Sequence, residues 1–172
     1  MTLYSLCLMQ QSISERDIGF MMEALKEADI AAEKGNYGIG AVVVHNDKIV
    51  SRSGNEIITR GRRQYAHAEF LALEKIRDTD LYLPENAGEL MVYTTLGPCP
   101  QCWGHMMVNG IGRIVYGAGD EISTQNFQTS VPQIFESPTR EIVELGGDLG
   151  RRCLDTFLKS AASIDAILGH KR

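Results

Sequence analysis

Leu90-Met91-Val92-Tyr93-Thr94-Thr95-Leu96-Gly97-Pro98-Cys99-Pro100-Gln101-Cys102 is the stretch whose reading decides the fold. Leu90 to Thr94 form an apolar run with β-branched and aromatic members, which reads as a strand, and Leu96-Gly97-Pro98 breaks it. From about Cys99 to Val108 the pattern turns helical and stops at Asn109-Gly110. Arg113-Ile114-Val115-Tyr116-Gly117 then reads as another strand.

Upstream, apolar residues at Ile18, Met21, Met22, Leu25, Ala28 and Ala32 make a helical stripe. Ser14-x-x-Asp17 predicts its capping box and Gly35 its stop. Ile39 to Val44 and Ile49-Val50, on either side of Asn46-Asp47-Lys48, predict a hairpin. The polar, arginine-rich residues 52–65 read as a loop, and a second helix is expected from about Ala66 to Arg77. Downstream, residues 118–139 read as a long functional loop, a lid or an interface. Glu141-Ile142-Val143-Glu144 reads as a last strand and residues 151–168 as a closing helix. The order predicts an α/β fold with a mixed sheet between helices, residues 1–172 forming one domain.

The chain has 172 residues, 44% of them hydrophobic and 23% charged, which suits a folded domain and argues against disorder. Its net charge of −5 argues against a surface built mainly for nucleic acid, whose footprint is normally basic. No apolar run reaches the roughly 20 residues needed to cross a bilayer. Met1 to Met9 lacks the basic start and cleavage site of a signal peptide, so a cytoplasmic protein is expected.

Chemistry concentrates in Ala66-His67-Ala68-Glu69 and Pro98-Cys99-Pro100-Gln101-Cys102, each opening an expected helix. One imidazole and two thiolates suit Zn²⁺, and three protein ligands leave the fourth tetrahedral position open, as in catalytic zinc sites. The positive end of the helix dipole also favours thiolates at a helix start. Glu69, two residues beyond His67, is expected to act on water beside the metal without ligating it. Two plainer readings compete. Cys99 and Cys102 would serve as a redox pair, which leaves His67 and Glu69 unexplained. A structural zinc would need a fourth ligand from Cys7, Cys153, His45 or His105, none with a second ligand at useful spacing.

Together the two segments carry the His-x-Glu…Pro-Cys-x-x-Cys signature of zinc-dependent base deaminases. The chain resembles the cytidine deaminase-like superfamily, in the branch of tRNA adenosine, guanine and cytosine deaminases. Gly40-Ala41-Val42-Val43-Val44, Asn55, Tyr93 to Cys99 and Gly112 to Gly117 also match, so the resemblance covers about residues 15–120. It implies a three-layer α/β/α sandwich around a five-stranded mixed sheet, assembled as a homodimer. It implies that His67, Cys99 and Cys102 bind zinc and that Glu69 shuttles protons in the catalytic step. Asn55 would hydrogen-bond the substrate and Ala68 would offer it backbone contacts. The implied reaction is attack of zinc hydroxide on an amino-bearing ring carbon, with loss of ammonia.

Several residues depart from the family pattern. Purine-acting branches carry an acidic-Pro-Thr tripeptide where this chain has Arg63-Gln64-Tyr65. Trp103-Gly104-His105 replaces the usual small residues, so Trp103 is a candidate for base stacking or a dimer seam, with core packing as the plainer reading. Arg60, Arg62 and Arg63 read either as a solvated loop or as a clamp for a substrate phosphate or carboxylate. The expected substrate is therefore a free nucleobase, nucleoside or related amino-heterocycle. A tRNA wobble-adenosine deaminase is the alternative, and a non-catalytic zinc or interaction module is a second.

Overall fold

The computed structural model describes residues 13–119 and 141–168. Among the described residues five helices and five strands follow in order: α1 (Glu15–Glu33), β1 (Gly40–His45), β2 (Lys48–Gly54), α2 (Ala68–Glu74), α3 (Pro84–Ala87), β3 (Met91–Leu96), α4 (Pro100–Val108), β4 (Arg113–Ala118), β5 (Glu141–Glu144) and α5 (Gly147–Leu168). A single 3-10 turn, Asp80–Tyr82, precedes α3. The strands form one sheet in the order β2-β1-β3-β4-β5. β1 runs antiparallel to β2 and β3, whereas β3, β4 and β5 are parallel, so the sheet is mixed.

Alternation along each strand separates two cores, because successive side chains leave opposite faces of the sheet. Val43, Val92 and Ile114 pack against Ala72 and Leu73 of α2 and Met106 of α4. Val42, Val44, Tyr93 and Val115 pack against Met21, Ala24, Leu25 and Ala28 of α1 and Cys153 of α5. Each of the larger side chains removes enough apolar area from water to contribute about 1.5–3 kcal/mol. Gly40 lets α1 sit directly on β1, since a Cβ there would lie 2.1 Å from the carbonyl oxygen of Ala24.

Local signals account for most boundaries. Ser14 caps α1 and Asp17 returns the bond, completing the expected capping box, and Gly35 at φ 81° ends it. Asn46 and Asp47, at φ 48° and 58°, make the two-residue β1–β2 turn of a primed type. At the far end of the sheet from α2 and α4's first turns, Arg113 pairs with Asp17 and with Glu141 at 2.6 Å, while Tyr93 donates to Asp17 at 2.8 Å. Burial opposes charge on Asp17, but its bonds from Arg113, Ser14 and Tyr93 hold the carboxyl well below the usual range.

Three expectations change. Residues 52–54 belong to β2 rather than to a loop: Ser51 and Ser53 point inward and Arg52 outward, a period-two pattern hidden by polar residues. The Ser51 hydroxyl satisfies itself by donating to the Ala72 carbonyl at 2.6 Å. α2 is shorter than the expected 66–77, because the Ile76 and Arg77 amides bond three residues back in a tightened turn. α5 begins at Gly147, ahead of the expected 151. Residues 120–140, most of the expected lid or interface loop, lie outside the described residues, as do Met1 to Met9. Among the described residues no helix is long and apolar enough to cross a membrane.

Candidate metal centre and pocket

The first turns of α2 and α4 meet beyond the end of β3. His67 is the N-cap residue of α2 and Cys99 that of α4, with Pro100 at the first helical position, where its missing N–H costs nothing. Cys102 follows within the same turn, so both sulfurs face His67.

His67 Nδ1 lies 3.5 Å from both Cys99 Sγ and Cys102 Sγ, and all three donor atoms fall within 4.8 Å of one another. A tetrahedral zinc bound at ordinary Zn–S and Zn–N lengths requires N···S separations of about 3.5 Å. The donor set and its spacing therefore fit zinc. Glu69 stands beside it, with Oε2 accepting from Cys102 Sγ at 3.4 Å.

The protons in this cluster are unevenly held. A hydrogen bond from Cys102, together with His67, pulls the Cys99 thiol down to about 4. Hydrogen bonding with Cys99, burial and the neighbouring Glu69 push Cys102 well above its ordinary value. The bond to Cys99 raises His67, and burial raises Glu69. A metal ion taking these ligands would displace protons, as thiolate and neutral imidazole ligation requires.

His67, Glu69 and Cys99 form part of the wall of a cavity of about 260 Å³. Asn55 and Gln64 add neutral amides, and Tyr37 and Phe157 add aromatic rings. Asn55 is buried, with its carboxamide oxygen accepting from the Ile57 amide at 3.0 Å. Tyr37 and Phe157, 120 residues apart, lie with ring centroids 6.3 Å apart. Sequence reading passed over both: Tyr37 sits between a helix and a strand, and Phe157 reads as an ordinary apolar position of α5. The Tyr37-Gly38 pair was the available local signal.

Other expected site residues lie elsewhere. Ala68 is fully buried in the core on the α2–α4 face and is not part of the cavity wall. Trp103 is 1% exposed in the same core, which overturns its reading as a stacking platform or dimer seam; helix geometry turns it away from the pocket. Arg62 and Arg63 are exposed beside Gln64 without lining the cavity, and Arg60 pairs with Glu56. Among the candidate fourth ligands, His105 bonds Tyr82 at 3.1 Å, His45 meets Glu89 at 3.0 Å, and Cys153 is buried on the α1–α5 face. Burial pushes the Cys153 thiol up to about 11, which makes it unreactive. Cys7 lies outside the described residues.

Residues 14–118 match the family model described as the cytidine and deoxycytidylate deaminase zinc-binding region. A tRNA-specific adenosine deaminase of Bacillus subtilis is 40% identical over 102 residues, a match spanning 59% of this chain and 61% of that protein's length. A solved structure from work on A-to-I editing by tRNA:A34 deaminases superposes with TM-score 0.64 at 26% identity, over 81% of this chain and 99% of that one. A guanine deaminase from Nitrosomonas europaea superposes with TM-score 0.67 over 88% of this chain and 86% of its own, and at 19% identity it speaks for the fold alone.

Proposed function

The chain belongs to the cytidine and deoxycytidylate deaminase zinc-binding family, and from that premise we propose that it hydrolyses the exocyclic amine of a nucleobase, adenine carried on tRNA first among them. The observation that carries the reaction type is Glu69. The residue is 4% exposed, and its carboxyl, raised by burial, stands 3.4 Å from the Cys102 sulfur at a base-sized cavity.

His67, Cys99 and Cys102 would hold zinc, which supplies the Lewis acidity that makes water nucleophilic at neutral pH. Glu69 takes a proton from the attacking water and delivers it to the departing amine, so the overall change is ring–NH₂ plus water to ring carbonyl plus ammonia. The Asn55 and Gln64 amides present hydrogen-bonding groups to the ring edge. Tyr37, Ile39, Leu96 and Phe157 give the cavity an apolar wall, which shields Glu69 and favours a flat ring.

The substrate choice rests on the relatives. The 40% identity to a tRNA-specific adenosine deaminase supports RNA adenosine over the free base expected from the acidic charge. One observation favours the second reading, a free base or nucleoside: the amides of the cavity wall are neutral, and among the described residues no arginine lines it. Ammonia release from the zinc-loaded protein separates them, using an anticodon stem-loop with adenosine at the wobble position, adenosine, adenine, guanine and cytosine. Inosine in the RNA with inert free bases supports the first reading, and the reverse pattern supports the second. No ammonia from any of them overturns both and leaves a zinc-binding interaction module.

A further inference from the structure

We infer that Ser160, a residue outside the cavity, is a positioning residue for the ring that binds in it. Its hydroxyl couples α5 to the connection between α1 and β1 and so sets Phe157 against Tyr37.

The Ser160 hydroxyl is buried and both accepts and donates a bond. It accepts from the Gly38 amide at 2.7 Å and donates to the Phe157 carbonyl at 2.7 Å. Gly38 lies flush on the helix: a Cβ there would stand 2.7 Å from the Thr156 carbonyl oxygen and 2.8 Å from its methyl carbon. The residues on either side of this contact, Tyr37 and Phe157, place their rings in the cavity wall, at an interplanar angle of 37°.

The same connection also holds the other rim. Asn36, 1% exposed, accepts from the Ile58 and Thr59 amides at 3.0 Å each. Residues 36–38 therefore join the β2–α2 loop, which carries Asn55 and Gln64, to α5, which carries Phe157. Ser160 supplies the α5 half of that junction. Without its hydroxyl the Gly38 N–H loses its buried acceptor, and the helix is free to draw Phe157 away from Tyr37. A ring that stacks on aromatic side chains would feel the change as lost contact.

The choice of a heterocycle as ligand rests on the deaminase reading; the junction itself does not. The probe is 2-aminopurine riboside, whose fluorescence is quenched when its base stacks on an aromatic ring, titrated into the zinc-loaded full chain. The wild type is expected to bind it saturably with quenching. Ser160→Ala should bind about tenfold more weakly, the loss of roughly one buried hydrogen bond, and quench less at saturation, with zinc content unchanged. Ser160→Thr, which keeps the hydroxyl, should quench as the wild type does. Phe157→Leu should remove most of the quenching, and adding Ser160→Ala to it should weaken binding no further, because the serine acts through the ring.

Wild-type binding and quenching in Ser160→Ala overturn the proposal. So does a loss that adds in full to that of Phe157→Leu, or an absence of saturable binding to the wild type. Should Ser160→Ala not fold, Ser160→Cys, a poor hydrogen-bonder of similar size, replaces it with the same outcomes. Ammonia assays run in parallel keep the two readings separate: intact binding without ammonia from any base removes the deaminase and leaves the positioning role standing.

Discussion

Glu69 Oε2 lies 3.4 Å from Cys102 Sγ, so a buried glutamate stands against one of the three clustered donors that could hold a metal without being one of them. Glu69→Gln should therefore bind zinc as the wild type does while ammonia release falls by about 10²–10⁴-fold, the usual worth of a positioned acid–base group. Metal analysis and a turnover assay on the same preparation check it. Loss of zinc in this variant would make Glu69 a ligand instead.

Zinc should stabilise the folded chain, because only the folded state brings His67, Cys99 and Cys102 together across 35 residues of sequence. At about a thousand times its Kd a ligand adds about 4 kcal/mol, which for a domain of this size raises Tm by about 10 °C. Thermal melts with and without chelator measure the difference. His67→Ala should show the chelated Tm whether or not zinc is added.

Asp17 makes stability depend on acid. Its carboxyl is held below its unfolded value by Arg113, Ser14 and Tyr93, so the unfolded chain binds more protons at low pH. The contribution is complete above about pH 4, the unfolded carboxyl value, and drains away as pH falls below it toward the folded value. Urea melts between pH 6 and pH 3 should show this loss, and Asp17→Asn should flatten it. Breaking the buried pair in that variant should also cost about 3 kcal/mol at neutral pH.

Gly40→Ala should destabilise the fold by more than the 1–3 kcal/mol typical of an overpacked core, since the new Cβ would fall 2.1 Å from a backbone oxygen of α1. Backbone cannot swing aside as a side chain does. A lowered urea midpoint with an unchanged slope would register it.

Trp103→Phe should lower stability and leave substrate KM unchanged, because the indole is packed beneath α4 rather than in the cavity. Its Nε1 has no hydrogen-bond partner among the described residues, so the change removes no bond within them. A KM several times higher would return Trp103 to the substrate site.

Metal chemistry was the most legible part of the chain. Zinc takes few side-chain types, and Cys-x-x-Cys at a helix start leaves both sulfurs little choice of direction. The α1 capping box was equally plain, since both of its bonds lie within four residues. β2 was half hidden: Ser51 and Ser53 bury hydroxyls that bond backbone or neighbouring groups, and polarity alone does not reveal which side of a sheet they face. For a related reason the sequence leaves the tryptophan open between core packing, its plainer reading, and a role in stacking or a dimer seam. Its size and chemistry suit stacking, but helix rotation decides which way it points, and that is set by the packing of α4 on the sheet.

By itself, then, the sequence determined the order of the elements, the three clustered side chains that could hold a metal and the glutamate placed beside them, because local spacing along two helix starts encodes those relations. The cavity wall was decided only in three dimensions. Tyr37 and Phe157 meet because Gly38 has no side chain to hold α5 away and Ser160 bonds across the contact. Such a relation is made by chain segments 120 residues apart, where no periodicity connects them and only packing brings them together.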